Sequence, residues 1–239
     1  MAEPDAVPQK SRAGRIAGPK KCPHPLTLDA IEETDEEFRI GAMAALRQME
    51  THAGLDAYSC GAIKAAFQDI VGVQFRNGAT VGGSLWRRMG FSDVLTMFLA
   101  MDSYVELHQA GIVSLEQFAN MRYDNDVLVR LIVRKRPGAF AYRAVRKQRT
   151  DLPSLNCAAG VIEGEYRVAV GSRPARAVVL RDERGLLAGG VTEQSVAAFA
   201  QFAVENVVVS GNMWGSAEYR RALVPVLVRR ALLALEEVR

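Results

Sequence analysis

Near residue 140 the sequence changes pattern, and that change constrains the fold more than any other feature. Beyond it, SLNCAAGVIEGEYRVAVG (154–171) is an apolar run, an EGE turn and an alternating run, the pattern of an antiparallel hairpin. TEQSVAAFAQFAVENV (192–207) and GSAEYRRALVPVLVRRALLALEEV (215–238) follow with helical apolar spacing. Ser216 is a good N-cap with Glu218 in the first turn, and Pro225 predicts a kink or a restart. This part reads as three strands and two helices.

Before residue 138 strands and helices are interleaved. FRIGA (38–42), SYVELH (103–108) and NDVLVRLIVRKRPG (125–138) read as strands, with EETDEE (32–37) and AGIV (110–113) as turns. MAALRQMETHAGL (43–55), SCGAIKAAFQDIVG (59–72), the apolar run from Val94 to Leu99 and SLEQFA (114–119, Ser114 as N-cap) read as helices. The fold class is therefore α+β in two domains: an α/β domain over 26–138 and a domain of sheet and helices over 139–239.

Charge and cysteine usage narrow the function. The net charge of the 239 residues is +3. Residues 1–24 hold five basic and two acidic side chains, so the other 215 residues carry 25 of each and are neutral. A basic nucleic-acid surface on the folded part is thereby disfavoured. Five prolines and few apolar residues in 1–25 predict a disordered tail. Cys22, Cys60 and Cys157 and the three histidines are scattered, with no C-x-x-C, which argues against a self-contained iron–sulfur or zinc site. No window approaches 18 uncharged apolar residues and no secretory signal is present, so a cytoplasmic protein is expected.

The stretch RNGATVGGSLWRRMGFSD (76–93) carries the chemistry. Gly82 and Gly83 lack Cβ atoms, so backbone amides there could face an anion, with a helix N-terminus and the Thr80 and Ser84 hydroxyls beside them. A plain strand-to-helix turn uses the same residues. The stretch is neither a Walker A sequence nor G-x-G-x-x-G. Trp86 with Arg87 and Arg88 could cover a ligand or form a solvated helix face. Arg220–Arg221 and Arg229–Arg230 read as solvated faces or subunit contacts.

Four segments in order resemble one family. Arg76-Asn77, Thr80-Val81-Gly82-Gly83-Ser84, Ser92-Asp93 and Leu99-Ala100-Met101-Asp102 resemble the second flavin-binding segment of the FAD-binding (medium) subunits of molybdenum hydroxylases, the xanthine dehydrogenase and carbon monoxide dehydrogenase flavoprotein family. FRIGAMAAL (38–46), YRVAVGSRPARA (166–177) and GSAEYRRALVPVLVRRAL (215–232) are similar to other parts of these subunits.

The resemblance implies a PCMH-type FAD-binding α/β domain followed by a C-terminal domain of a three-stranded antiparallel sheet with helices. It places Ala79, Thr80, Gly82, Gly83 and Ser84 at the pyrophosphate, Ser92 and Asp93 toward the sugar side of the flavin, and Phe75 and Leu128 as apolar walls of the ring system. Ser84 replaces the family's Asn, a shorter donor. The family carries a lysine in the segment matching 142–158, where Ala144 stands, with Lys147 as a substitute.

The family's first Ala-Gly-Gly loop has one counterpart, RIAGPKK (15–21), in which Pro19 offers no N–H. A start lying upstream, a lost loop and another compensation are all open, and a shortened N-terminal lobe is expected. By resemblance, electrons pass from a molybdopterin-binding large subunit through a [2Fe-2S] small subunit to FAD on this chain, and on to an acceptor such as NAD. The chain itself supplies no catalytic residue and no metal ligand. The alternative is a structural subunit of the same complex without flavin.

Overall fold

The computed structural model describes residues 28–238. The predicted tail, RIAGPKK and Cys22 lie outside the described residues. Two antiparallel sheets organise the chain. The first has five strands in the order β1-β2-β5-β3-β4: β1 (Ile31–Glu33), β2 (Glu37–Gly41), β3 (Ser103–Leu107), β4 (Gly111–Ser114) and β5 (Leu128–Arg134). The second has four, in sequence order: β6 (Gly138–Val145), β7 (Leu155–Ile162), β8 (Glu165–Gly171) and β9 (Val178–Arg181).

Between β2 and β3 run six short helices, α1 (Leu46–Thr51), α2 (Ala53–Tyr58), α3 (Ala62–Phe67), α4 (Val73–Gly78), α5 (Val81–Trp86) and α6 (Asp93–Leu99). A seventh, α7 (Leu115–Asn120), follows β4, with Ser114 accepting from the Gln117 amide as its cap. The predicted helix 43–55 is broken at His52, whose backbone is extended and whose Nδ1 caps α2 by accepting from the Leu55 amide.

Several expectations are corrected. AGIV is not only a turn: β4 pairs with β3, Val113 opposite Val105, which removes an edge from β3. The second sheet has one strand more than the three expected. AFAYRAV lacks a polar–apolar alternation because both faces of β6 are covered, so its period is hidden. Pro225 does not restart the last helix. Helix α9 (Ala217–Glu237) runs through it, held by the buried stripe Val224, Leu227, Val228, Ala231, Leu232 and Leu235, which outweighs the lost hydrogen bond.

The second sheet is sandwiched. On one face lie α8 (Glu193–Asn206) and α9, packed over Cys157, Ala159, Val161, Val168 and Val170. On the other lie α3 and α6, against Phe140, Tyr142, Ala158 and Ala169, which belong to the same core as the first sheet. All eight residues of β7 are therefore buried. Small residues allow the close approach: a Cβ on Gly171 would fall well inside contact distance of Asn156 Oδ1 and Thr96 Oγ1. Gly171→Ala should push α6 off β7 and β8 and destabilise the fold by about 1–3 kcal/mol, read from denaturant midpoints.

Candidate functional site

The Gly-Gly segment is not a strand-to-helix turn. It joins two helices: α4 ends at Gly78, Ala79 and Thr80 are extended, and α5 begins at Val81. Thr80 bridges Ala45, and the Val81 and Gly82 amides donate to the Ala44 and Ala42 carbonyls at 2.9 and 2.7 Å. Thr80 Oγ1 accepts from the Gly83 amide at 3.1 Å as the N-cap, and Ser84 Oγ donates to the Thr80 carbonyl. The first amides of α5 are thus already paired within the chain, and a six-residue helix has a small dipole. Gly82 is required by proximity: a Cβ there would sit 2.7 Å from the Ala42 oxygen and 2.8 Å from its methyl. Gly83 is exposed, and a Cβ on it would meet Thr80 Oγ1 at 3.2 Å.

The neighbouring motif residues have separate duties. Arg76 is buried, pairs with Glu50 (Nε to Oε2 2.8 Å) and donates to the Ile70 and Val71 carbonyls, so it fastens α4 to α1. Burial works against the Glu50 charge, but Arg76 and Arg47 hold its carboxyl below the ordinary value. Phe75 is half exposed on α4, alongside exposed Val71 and Val73. Leu128 lies in the core at the start of β5. Trp86 packs on Phe118, their ring centres 6.0 Å apart.

Arg88 is not on a solvated face. It is 3% exposed, 4.0 Å over the Phe118 ring and 4.8 Å over Tyr123, with no hydrogen-bond partner for its guanidinium among the described residues, and burial lowers its pKa.

Ser92 and Asp93 join this segment to the second sheet. Ser92 caps α6 by accepting from the Leu95 amide, and its hydroxyl donates to the Ser84 carbonyl at 3.3 Å. Asp93 is buried, and three side chains of the second domain converge on it. Tyr142 donates its hydroxyl to Oδ1, Asn156 donates Nδ2 to Oδ1 at 2.9 Å, and Arg146 pairs with Oδ2 at 2.9 Å. Thr96 donates to the other end of the Asn156 amide at 3.3 Å. Burial disfavours the Arg146 charge, yet Asp93 carries its pKa upward; burial, then Asp93, pushes the Tyr142 hydroxyl well above its ordinary value.

Of the expected site residues, the fold thus brings Thr80, Gly82, Gly83, Ser84, Ser92 and Asp93 together, with Ala79 at their edge. It leaves Leu128 in the core. Sequence reasoning missed Tyr142, Arg146 and Asn156, although Asn156 stands out as the one amide in the apolar run of β7.

Beside Asp93 opens a groove of about 390 Å³ between α3 and β6, lined by Asp69, Tyr142, Arg143, Arg146, Lys147 and Arg149 among others. Arg149 pairs with Asp69 at 2.7 Å, and Lys147 donates to the Met213 carbonyl at 2.9 Å. Among the described residues Arg143 donates only to the adjacent Tyr142 carbonyl, so the groove keeps an excess of positive charge. Ala144 lines it without a polar group. Among the described residues no group of His, Cys, Asp and Glu could hold a metal ion, and no helix is long and apolar enough to cross a membrane.

Two outcomes follow from this geometry. Asp93→Ala strands the buried Arg146 charge and should cost about 3–5 kcal/mol of stability in denaturant titrations. Alkali should also destabilise the protein. Burial pushes the Cys157 thiol up to about 12, and the Tyr142 hydroxyl also titrates above its ordinary value. Both groups stay protonated in the folded state while the unfolded chain ionises. Stability is therefore constant below the unfolded pKa values and falls above them, by about 1.4 kcal/mol per pH unit for each group. Cys157→Ala and Tyr142→Phe should each flatten the fall in a series of melts above about pH 9.

The comparisons with known proteins agree with this architecture. Residues 23–135 match the FAD binding domain in molybdopterin dehydrogenase, and residues 140–235 match the CO dehydrogenase flavoprotein C-terminal domain. The chain is 26% identical over 205 residues to the uncharacterized protein YgfM of Escherichia coli K12, covering 85% of this chain and 74% of that one. It is 22% identical over 220 residues to the nicotine 6-hydroxylase medium subunit of Paenarthrobacter nicotinovorans, covering 86% and 77%. The carbon monoxide dehydrogenase of Hydrogenophaga pseudoflava, solved without the Mo-pyranopterin moiety, has the same fold, with a TM-score of 0.77 at 22% identity over 88% of this chain and 79% of that one. The chain belongs to the family of FAD-binding medium subunits of molybdenum hydroxylase-type oxidoreductases.

Proposed function

We propose that this chain is the flavin-holding electron-transfer subunit of a molybdenum hydroxylase-like complex. The observation that carries the reading is the junction at Asp93, where the segment 79–93 is locked to the second domain beside a basic groove. The residues present fit a phosphorylated flavin in two respects. Gly83 leaves exposed backbone between the Thr80 and Ser84 hydroxyls, and Arg143 and Lys147 supply positive charge. Thr80, Gly83, Ser84 and Ser92 would hold the cofactor, with Gly82 shaping the loop, Ala79 at its edge and Asp93 fixing Arg146 and Tyr142 in place.

FAD, when bound, supplies the step between one-electron carriers and a two-electron acceptor. This chain's part is to bind, orient and shield it. Half-exposed Phe75 offers an apolar surface for the ring system, and the Arg143 and Lys147 charges favour an electron-rich flavin electrostatically. The molybdopterin-binding large subunit and [2Fe-2S] small subunit are the proposed partners, NAD the proposed acceptor as in xanthine dehydrogenase, and the cytoplasm the proposed compartment. Domain limits of 26–138 and 139–239 are proposed with them.

A second reading, a structural subunit without flavin, is favoured by one observation. The Val81, Gly82 and Gly83 amides are already hydrogen-bonded inside the chain. Flavin content of the purified chain and of its complex separates the two. Stoichiometric flavin absorbance supports the electron-transfer reading, whereas a colourless stoichiometric complex supports the scaffold. Gly83→Val is the informative variant, because Gly82→Val would also collide with Ala42. The expected result is loss of flavin with an unchanged melting temperature; retained flavin would remove Gly83 from the site.

A further inference from the structure

On the interface between the domains, a second cleft of about 290 Å³ has a composition unlike the basic groove. Met89 and Phe91 from the α5–α6 loop, Leu152 from the β6–β7 loop and Trp214 from the α8–α9 loop make it largely apolar. Three polar side chains line it, Ser172 after β8, Asn212 in the α8–α9 loop and Arg220 in α9.

The Ser172 hydroxyl lacks a hydrogen-bond partner among the described residues, whereas Arg220 is hydrogen-bonded but has no counter-ion among them. Ser172 is 4% exposed and its hydroxyl has no hydrogen-bond partner among the described residues, while its backbone is held at φ 58° with the amide donating to the Gly90 carbonyl. A non-glycine residue in that region is strained, and such strain concentrates at binding sites. Arg220 is 1% exposed. It donates to the Ser154, Ser210 and Gly215 carbonyls and to Asn212 Oδ1, and no described carboxylate pairs with it.

Among the described residues, the adjoining half-buried Arg173 and Arg176 donate to carbonyls, those of Arg176, Val208 and Met121. A buried cation without a counter-ion, as Arg220 is, is costly, and an apolar wall strengthens the positive potential that it and the neighbouring arginines project.

We propose that this cleft binds a small aromatic carboxylate, its ring against Trp214 and Phe91 and its carboxylate toward Ser172 and Arg220. The volume lies at the small end of ligand pockets and suits about one or two rings. A free phosphate fits less well, because its oxygens would face apolar side chains with few donors available.

Calorimetric titration of the full chain with 2-naphthoate, 2-naphthamide and inorganic phosphate tests this. The expected result is saturable binding of one 2-naphthoate per chain, tighter than 2-naphthamide by about tenfold or more, as loss of a charge-assisted hydrogen bond requires. Ser172→Gly, which removes the hydroxyl and relieves the backbone, should weaken 2-naphthoate by about tenfold. Leu152→Trp should fill the cleft and abolish binding with the melting temperature retained, and Met89→Trp serves if that variant does not fold. Equal affinity for acid and amide, absence of saturation, binding that survives a folded cleft-filling variant, or phosphate binding as tightly as 2-naphthoate would each overturn the proposal.

Discussion

Burial of the second sheet on both faces is the constraint on which the rest depends. Strand β7 has no solvent-facing side, so its residues serve two cores: Cys157, Ala159 and Val161 face α8 and α9, while Ala158 and Ile162 face the first domain. Burying both faces gains apolar contact that neither domain could reach alone. It also demands small side chains where layers touch, which explains the run Cys157-Ala158-Ala159-Gly160 and the glycine at 171.

In such an interface an unsatisfied polar group is costly. The Thr96–Asn156–Asp93–Arg146 chain with Tyr142 avoids that cost, each member donating to or accepting from another. Because Asp93 opens α6 directly after Ser92, which donates to the Ser84 carbonyl, the same network ties the Gly-Gly segment to the second domain. Stability and the candidate flavin site therefore share their residues.

Much of the fold was legible in the sequence, and the failures have physical causes. Strand β8 and helix α8 carry their own period, Ser114 and Ser216 cap as their spacing suggests, and Thr192 caps α8 as well. Strand β6 was hidden because two-sided burial erases alternation. Arg88 read as a ligand cover or a solvated face and Arg220 as a solvated face or subunit contact, since nothing local reveals that a guanidinium will lie on aromatic rings or collect distant carbonyls. The Gly-Gly pair pointed to the right segment for an incomplete reason. Gly82 is there to approach Ala42, a contact across 40 positions that spacing cannot show.

By itself, the sequence determined the family, the two-part organisation and the segment that bears the flavin motif, because these rest on local pattern and short-range residue choice. Tertiary structure alone decided what those residues touch. It turned the Val81 and Gly82 amides inward, closed Asp93 into a buried network and left Ser172 and Arg220 facing an apolar cleft. Hydrogen-bond partners and burial arise from contacts between residues far apart in the chain, and no local period encodes them.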